Sequence, residues 1–284
     1  MAKFQRLVRF EDPEGTVHYG EIDTTGNLSD ELVGLEVATY EGSTPWSDDF
    51  ILTEKRAKIA KVLCPVPYTP IVVGIGINYK SHAIEGGFVI PDYPVVFTKF
   101  ADCLAGPYED IPIHKEALHL DYEGEFCIII SKTCKNLTES DNPLDYVLGY
   151  TVGNDVSSRF WQTDPKRSGN QNCYPKSFDK FAPIGPVICS PDVIPDPSKL
   201  TLRTKVNDVE KQKTGLDELI FDVGTILRHL TRGMTLREGT VIMTGTPNGV
   251  AVFAKPPAWL QDGDVVEVEI DGIGRIKNRM VFEK

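Results

Sequence analysis

The sequence predicts an α+β fold that is predominantly β, and three observations carry the prediction. Short apolar runs of strand length recur at residues 71–76, 95–98, 126–130, 147–152, 187–188, 200–206, 241–244 and 265–270. Only one segment, residues 216–230, has clear helical periodicity, with Leu219, Val223, Ile226, Leu227 and Leu230 three or four apart. The runs do not alternate with helical stretches, so mixed or antiparallel pairing is expected and a doubly wound sheet is not.

In chain order, residues 1–64 read as a small N-terminal domain. Phe4-Gln5-Arg6-Leu7-Val8-Arg9-Phe10 alternates as a strand does, and Glu11-Asp12-Pro13-Glu14-Gly15 reads as a turn. Residues 19–22 suggest a second short strand and residues 55–63 a short helix. Cys64-Pro65-Val66-Pro67-Tyr68-Thr69-Pro70 then ends regular structure, because each proline lacks a backbone donor and restricts its predecessor. The boundary is set there, leaving residues 65–284 as the larger domain. Gly74-Ile75-Gly76 lacks the third glycine of a dinucleotide fingerprint, and no GxxxxGK[ST] occurs, so no nucleotide loop is expected.

A net charge of −11 over 284 residues argues against a nucleic-acid partner. It does not exclude a small anionic substrate, because a bound metal inverts the local field. No apolar run approaches the roughly 18 residues of a membrane helix, and the first ten residues lack the features of a secretory leader. The expected location is cytoplasmic, with mitochondrial as the alternative. Six cysteines without a CxxC pair read as free thiols in a reducing compartment.

Five segments could carry chemistry. In Asp121-Tyr122-Glu123-Gly124-Glu125, alternate strand residues share a face, so Glu123 and Glu125 project from one side, roughly 6–7 Å apart. Two acids leading into an apolar run repel each other, and a hard divalent cation would relieve them; a solvated strand end is the plain alternative. Asp155 follows the run 147–152. If a helical turn follows, Asp155, Arg159 and Gln162 share a face, and Asp155 completes a three-carboxylate set suited to Mg²⁺. The alternative is a helix N-cap paired with Arg159. On one helical turn His82 and Glu85 would be neighbours, as a carboxylate-held general base requires, and Gly86-Gly87 permits the hinge motion of a lid; a surface ion pair is the plainer alternative. Lys176 could neutralise an oxyanion, although alone it reads as a lysine before a loop. Thr246 offers a hydroxyl in Thr244-Gly245-Thr246-Pro247, where glycine allows close approach to a ligand or simply a tight turn.

Taken together and in order, these motifs resemble the fumarylacetoacetate hydrolase (FAH) superfamily. The matching residues are Gly76-Ile77-Asn78-Tyr79 with His82 and Glu85, Phe97-Thr98-Lys99, Asp121 to Glu125, Gly153-Asn154-Asp155 with Arg159 and Gln162, Lys176-Ser177-Phe178-Asp179, and Gly245-Thr246-Pro247. Val252-Phe253-Ala254-Lys255-Pro256-Pro257 and Gly263-Asp264 point within it to the oxaloacetate tautomerase-like group. The resemblance covers nearly the whole chain. It implies an FAH-type mixed β-sandwich roll with a small N-terminal domain, and a homodimer. It implies Mg²⁺, with Mn²⁺ or Ca²⁺ as alternatives, on Glu123, Glu125 and Asp155. His82, Glu85 and Lys176 are implied as catalytic residues, the first two on a lid, and Arg159, Gln162 and Thr246 as substrate contacts. Phe160, where many relatives carry an acid, and the irregular stretch 163–175 depart from the pattern and bear on substrate choice.

The reaction implied is metal-dependent chemistry on a short 2-oxo (β-dicarbonyl) acid through a metal-bound enolate. C–C bond hydrolysis or decarboxylation of an acylpyruvate- or oxaloacetate-like substrate is the leading expectation, because a His–Glu dyad suits water activation. Oxaloacetate keto–enol tautomerisation or isomerisation is the alternative, and a non-catalytic scaffold retaining the fold is a third.

Overall fold

The computed structural model describes residues 3–23 and 32–284; the first two positions of the start read above for a leader, Met1 and Ala2, lie outside it. The N-terminal strands β1 (Arg6–Glu11), β2 (Val17–Glu21), β3 (Glu36–Glu41) and β4 (Ile51–Lys58) form an antiparallel meander. The helix expected at residues 55–63 is not there. Ile59, Val62 and Leu63 mimic helical spacing, but residues 56–58 pair with β3, and the Ala60 and Leu63 amides donate to Glu11 and Arg9 in β1. Tertiary pairing overrides local spacing here.

The larger part contributes β5 (Val72–Gly76), helix α1 (Lys80–Gly86), β6 (Val95–Lys99), β7 (Gly124–Ile130), β8 (Val147–Asn154), short helices α2 (Arg159–Thr163), α3 (Pro165–Ser168) and α4 (Cys173–Lys176), then β9 (Ala182–Cys189), β10 (Thr201–Val206), β11 (Val209–Gly215), α5 (Val223–Thr231), β12 (Val241–Met243), β13 (Val265–Ile270) and β14 (Gly274–Phe282). The main sheet runs β4-β3-β2-β1-β9-β8-β7-β12-β5-β6. Along this path the pairing is antiparallel except between β12 and β5. A second sheet, β11-β10-β13-β14 with the short strand Ile111–Ile113, covers one face of the first. The fold is α+β and predominantly β, as expected.

Burial explains why the central strands read as unbroken apolar runs. In β7, Phe126, Ile128 and Ile130 enter the core shared with the second sheet, and Cys127 and Ile129 enter a core on the opposite face. A strand covered on both sides has no polar alternation.

The helix expected at residues 216–230 is shorter. Asp222 caps α5 by accepting from the Thr225 amide at 2.7 Å, so the helix begins at Val223. Leu219 has the right spacing but lies before the cap, bridged to Tyr79.

β7 and β8 are antiparallel, with Gly124 opposite Asn154, and β12 and β5 lie alongside. The start of β7 and the ends of β8, β12 and β5 therefore meet at one end of the sheet. Gly74 sits opposite Phe97, and an added Cβ would lie 2.1 Å from its ring. Gly74→Val is expected to destabilise the protein by about 2 kcal/mol through overpacking, measured by urea unfolding. Gly76→Ala, whose added carbon meets nothing nearer than 3.6 Å, is expected to change stability far less.

Candidate active site

Backbone pairing brings the three metal-candidate acids together. Glu123 and Glu125 share one side of the chain entering β7, and the Asp155 amide donates to the Glu123 carbonyl at 2.8 Å. One oxygen from each of the three carboxylates lies within 4.8 Å of the others, and all three are buried. Asp155 does not share a helical face with Arg159 and Gln162, nor does it cap α2. Residues 157–158 continue as a strand pair against Leu120–Asp121, and α2 starts only at Arg159. A Ser-rich extended link won over the helical turn the spacing suggested.

Three buried cations balance these acids. Lys99 Nζ donates to Asp155 Oδ1 and the Phe181 carbonyl, both at 2.5 Å. Lys176 Nζ reaches Asp155 Oδ2 at 2.5 Å, Ser157 Oγ at 2.8 Å and Glu123 Oε2 at 3.0 Å. Arg159 pairs with Asp121 through Nε at 2.8 Å and with Glu123 through Nη2 at 2.7 Å. Burial alone would raise the Glu123 carboxyl, but Lys176 and Arg159 beside it hold it down at about 2. Burial opposes charge on Lys176 too, and Asp155 and Glu123 overcome it, raising its pKa.

Glu125 is different. It accepts from the Gly245 amide at 2.6 Å and makes no ion pair among the described residues. Burial, reinforced by Asp155 and Glu123, pushes its carboxyl well above the ordinary range. Four buried carboxylates (Asp121, Glu123, Glu125, Asp155) thus face three cations (Lys99, Arg159, Lys176). A hard oxygen donor set with one charge uncompensated fits a divalent ion of the Mg²⁺ or Ca²⁺ type.

Above the triad lies a cleft of about 630 Å³ whose walls include His82, Glu123, Arg159, Gln162, Lys176 and Thr246. Gln162 Oε1 accepts from Arg159 Nη1 at 2.6 Å. The Thr246 turn is held by Asn78, which donates to the Thr244 carbonyl at 2.7 Å. Gly245 has φ +103°, and a Cβ there would meet Asn78 and Ile75 at 2.9 Å, so glycine is required. Gln212 donates to Thr246 Oγ1 at 2.8 Å, leaving the hydroxyl proton free to donate. His82 packs against Phe88 and Phe253, with centroids 6.1 and 5.8 Å away, and those two rings also meet each other at 6.0 Å, so the three form a triangle. Its Nδ1 lies 3.7 Å from Glu85, whose two oxygens accept from the Gly249 amide at 3.0 and 3.1 Å.

With that geometry in place, the comparisons with known proteins are specific. The family model for the C-terminal part of fumarylacetoacetate hydrolase matches residues 71–281. The chain belongs to the FAH family. It is 40% identical over 235 residues to a mitochondrial oxaloacetate tautomerase of Xenopus laevis, covering 83% of this chain and 72% of that protein. A human mitochondrial oxaloacetate tautomerase is 36% identical, covering 77% and 69%. Among solved structures, a 2-hydroxyhepta-2,4-diene-1,7-dioate isomerase from Mycobacterium marinum superposes with a TM-score of 0.81 at 33% identity, covering 98% of this chain and 99% of that one. A fumarylacetoacetate hydrolase from Exiguobacterium antarcticum gives 0.76 at 34% identity, with coverage of 98% and 99%. The protein is an FAH-superfamily enzyme.

Several residues of this FAH-family site escaped reading from the sequence. Lys99 stood in a quoted motif, but nothing marked its charge as buried. Asp121 accepts from the Tyr122, Ala251 and Val252 amides as well as from Arg159, holding α2 to the loop after Thr246. Asn78 and Gln212 act on partners far away in the chain, and local spacing carries no signal for them.

The Glu125 carboxyl has a direct consequence for stability. Its pKa is raised above the ordinary 4.5 in the folded state, so the folded form retains a proton that the unfolded chain releases. Metal-free protein is therefore expected to lose stability as pH rises above about 4.5, by about 1.4 kcal/mol per unit of upward shift. Glu125→Gln is expected to remove that slope, raise the metal-free Tm, and abolish the Tm gain on adding Mg²⁺. Thermal unfolding from pH 5 to 8, with EDTA or with Mg²⁺, measures all three.

Proposed function

We propose that the protein is a keto–enol tautomerase acting on short 2-oxo acids of the oxaloacetate type, with Mg²⁺ held by Glu123, Glu125 and Asp155. The observation that carries this reading is the placement of His82, nine-tenths buried against the paired Phe88 and Phe253 rings yet lining the cleft. A base backed by an apolar ring pair and facing the cleft is suited to moving a proton on a bound substrate. The relatives named oxaloacetate tautomerase support the same choice.

A divalent ion bound at the triad supplies Lewis-acid polarisation of the substrate's 2-oxo group. The chain's own residues do the rest. Lys176, at the mouth of the triad, stabilises negative charge developing on the 2-oxygen. Thr246 donates its hydroxyl proton to the substrate carboxylate. His82 keeps Nδ1 toward Glu85 and uses Nε2 to remove the proton at C3. The proton returns at the 2-oxygen, so the reaction is balanced without water or a leaving group.

C–C bond hydrolysis or decarboxylation remains the second reading, favoured by the hydrolase among the structural neighbours. Hydrolysis needs a water held beside His82, and the paired Phe88 and Phe253 rings offer such a water no hydrogen bond on their side.

A homodimer belongs to this proposal: edge strand β6 and its neighbours expose Val89, Val96, Phe100 and Tyr174. So does a domain boundary after residue 64, supported by a family match that begins at residue 71. No described helix is long and apolar enough to cross a membrane, and a cytoplasmic location is proposed, with mitochondrial relatives favouring the alternative.

With oxaloacetate and Mg²⁺, the purified enzyme is expected to remove the enol without releasing pyruvate, followed together by ultraviolet absorbance and NMR. EDTA is expected to abolish the effect, and His82→Ala to lower kcat by at least about 100-fold. Matched pyruvate release from oxaloacetate or acylpyruvates would establish cleavage instead. An unaffected His82→Ala variant would support a scaffold.

A further inference from the structure

The side chains on the cleft wall beyond Arg159 form a hydrogen-bond chain whose direction is dictated at its origin. Asp121 is fully buried and acts only as an acceptor for Arg159. Arginine carries donors and no acceptor, so the atom of Gln162 facing Arg159 Nη1 must be the amide oxygen. The Gln162 amino group then points the other way and donates to Asn172 Oδ1 at 3.1 Å. With its oxygen engaged, Asn172 turns its own amino group outward, and among the described residues that group has no partner.

Two further features mark Asn172 as more than a loop residue. It occupies the N-cap position of α4, where an asparagine side chain ordinarily satisfies a helix amide, yet it makes no capping bond. It also lines the cleft, as do Asn170 and Thr163, at a lip that carries no charge. Of the wall residues, only Arg159 and Lys176 carry a fixed positive charge, and both are paired with carboxylates. Lys176 lies four residues on in the same short helix, about 6 Å along its axis.

We propose that Asn172 forms an outer subsite of this cleft that selects substrates by an uncharged hydrogen-bond acceptor, a carbonyl oxygen set beyond C4 of the 2-oxo acid. The Asn172 amino group supplies the donor, and the relay from Asp121 through Arg159 and Gln162 keeps it a donor. A second carboxylate at that distance would meet no free cation. Oxaloacetate ends at C4 and engages the inner site alone, and the outer subsite extends the same reaction to longer 2-oxo acids with a neutral distal carbonyl. The proposal rests on the enolising reading above for its substrate class.

The test uses full-length enzyme with Mg²⁺ and three probes: 2-oxobutanoate, 2-oxoheptanoate and the 6-methyl ester of 2-oxoadipate. Calorimetry measures binding, and NMR in D₂O measures deuterium exchange at C3. The wild-type enzyme is expected to prefer the ester over 2-oxoheptanoate by about five- to tenfold, the worth of one neutral hydrogen bond. Asn172→Leu is expected to erase that preference. Asn172→Asp, which keeps the bond from Gln162 but turns an acceptor outward, is expected to reverse it. An equal loss on all three probes, or a preference that survives both variants, overturns the proposal. If no probe exchanges its C3 protons but the binding preference still depends on Asn172, the outer subsite stands and the tautomerase reading fails.

Discussion

Charge at the end of the central strands is the constraint on which the rest depends. Asp121, Glu123, Glu125 and Asp155 are withdrawn from water with only Lys99, Lys176 and Arg159 to answer them. An unpaired buried charge costs several kcal/mol, so the surroundings must hold each group where it is satisfied. Asp155 is gripped on both oxygens, by Lys99 on one and Lys176 on the other. Glu125 keeps only a backbone donor and its carboxyl is pushed up, so it holds a proton in the metal-free site; with all four acids ionised the balance is one negative charge. A bound dication reverses that sign to one positive. A chain with a net charge of −11 can therefore attract an anionic acid to this one place, because the local charge and not the total sets the field there.

Asp121 extends that constraint from electrostatics to shape. Its two oxygens collect three backbone amides and the Arg159 side chain. The amides of residues 251 and 252 tie down the segment that carries Phe253 against His82, and Arg159 orients Gln162. The acid next to the metal candidates thus sets both the aromatic wall of the cleft and the polarity of its outer lip. Replacing it would disturb two surfaces far apart in the chain through one missing acceptor.

What could be seen in the sequence follows from how local each cause is. β7 and β8 were visible because strands buried on both faces leave continuous apolar runs. Glu123 and Glu125 were visible as a pair because strand periodicity acts over two residues. The route by which Asp155 joins them was not, since it depends on the register of β7 against β8 and a link that stays extended. Ile59, Val62 and Leu63 carried a false helical signal, as did Leu219, because spacing alone cannot tell a helix from residues buried by separate partners. Lys99 ends a strand, where a lysine ordinarily faces water, and only its contacts with Asp155 and the Phe181 carbonyl show otherwise. Gln212 was silent, and Asn78 stood in a motif without a role, because everything they hold lies elsewhere in the chain.

Glu85 shows how the same loops that build the site also couple its parts. Its oxygens accept from the Gly249 amide, and the Gly249 carbonyl accepts from the Tyr122 hydroxyl at 2.8 Å. Tyr122 lies between Asp121 and Glu123. Gly249 has φ +98°, and an added Cβ would fall 2.1 Å from the Lys211 carbonyl, so this junction admits no side chain. The helix bearing the base is thereby fastened to the strand bearing the metal candidates. His82 Nδ1 meanwhile makes no hydrogen bond and stands 3.7 Å from Glu85. One carboxylate cannot move closer to His82 without lengthening its bonds to Gly249. Its two tasks, holding α1 over the cleft and orienting the base, compete for the same two oxygens, which links the position of that helix to the strength of the base it carries.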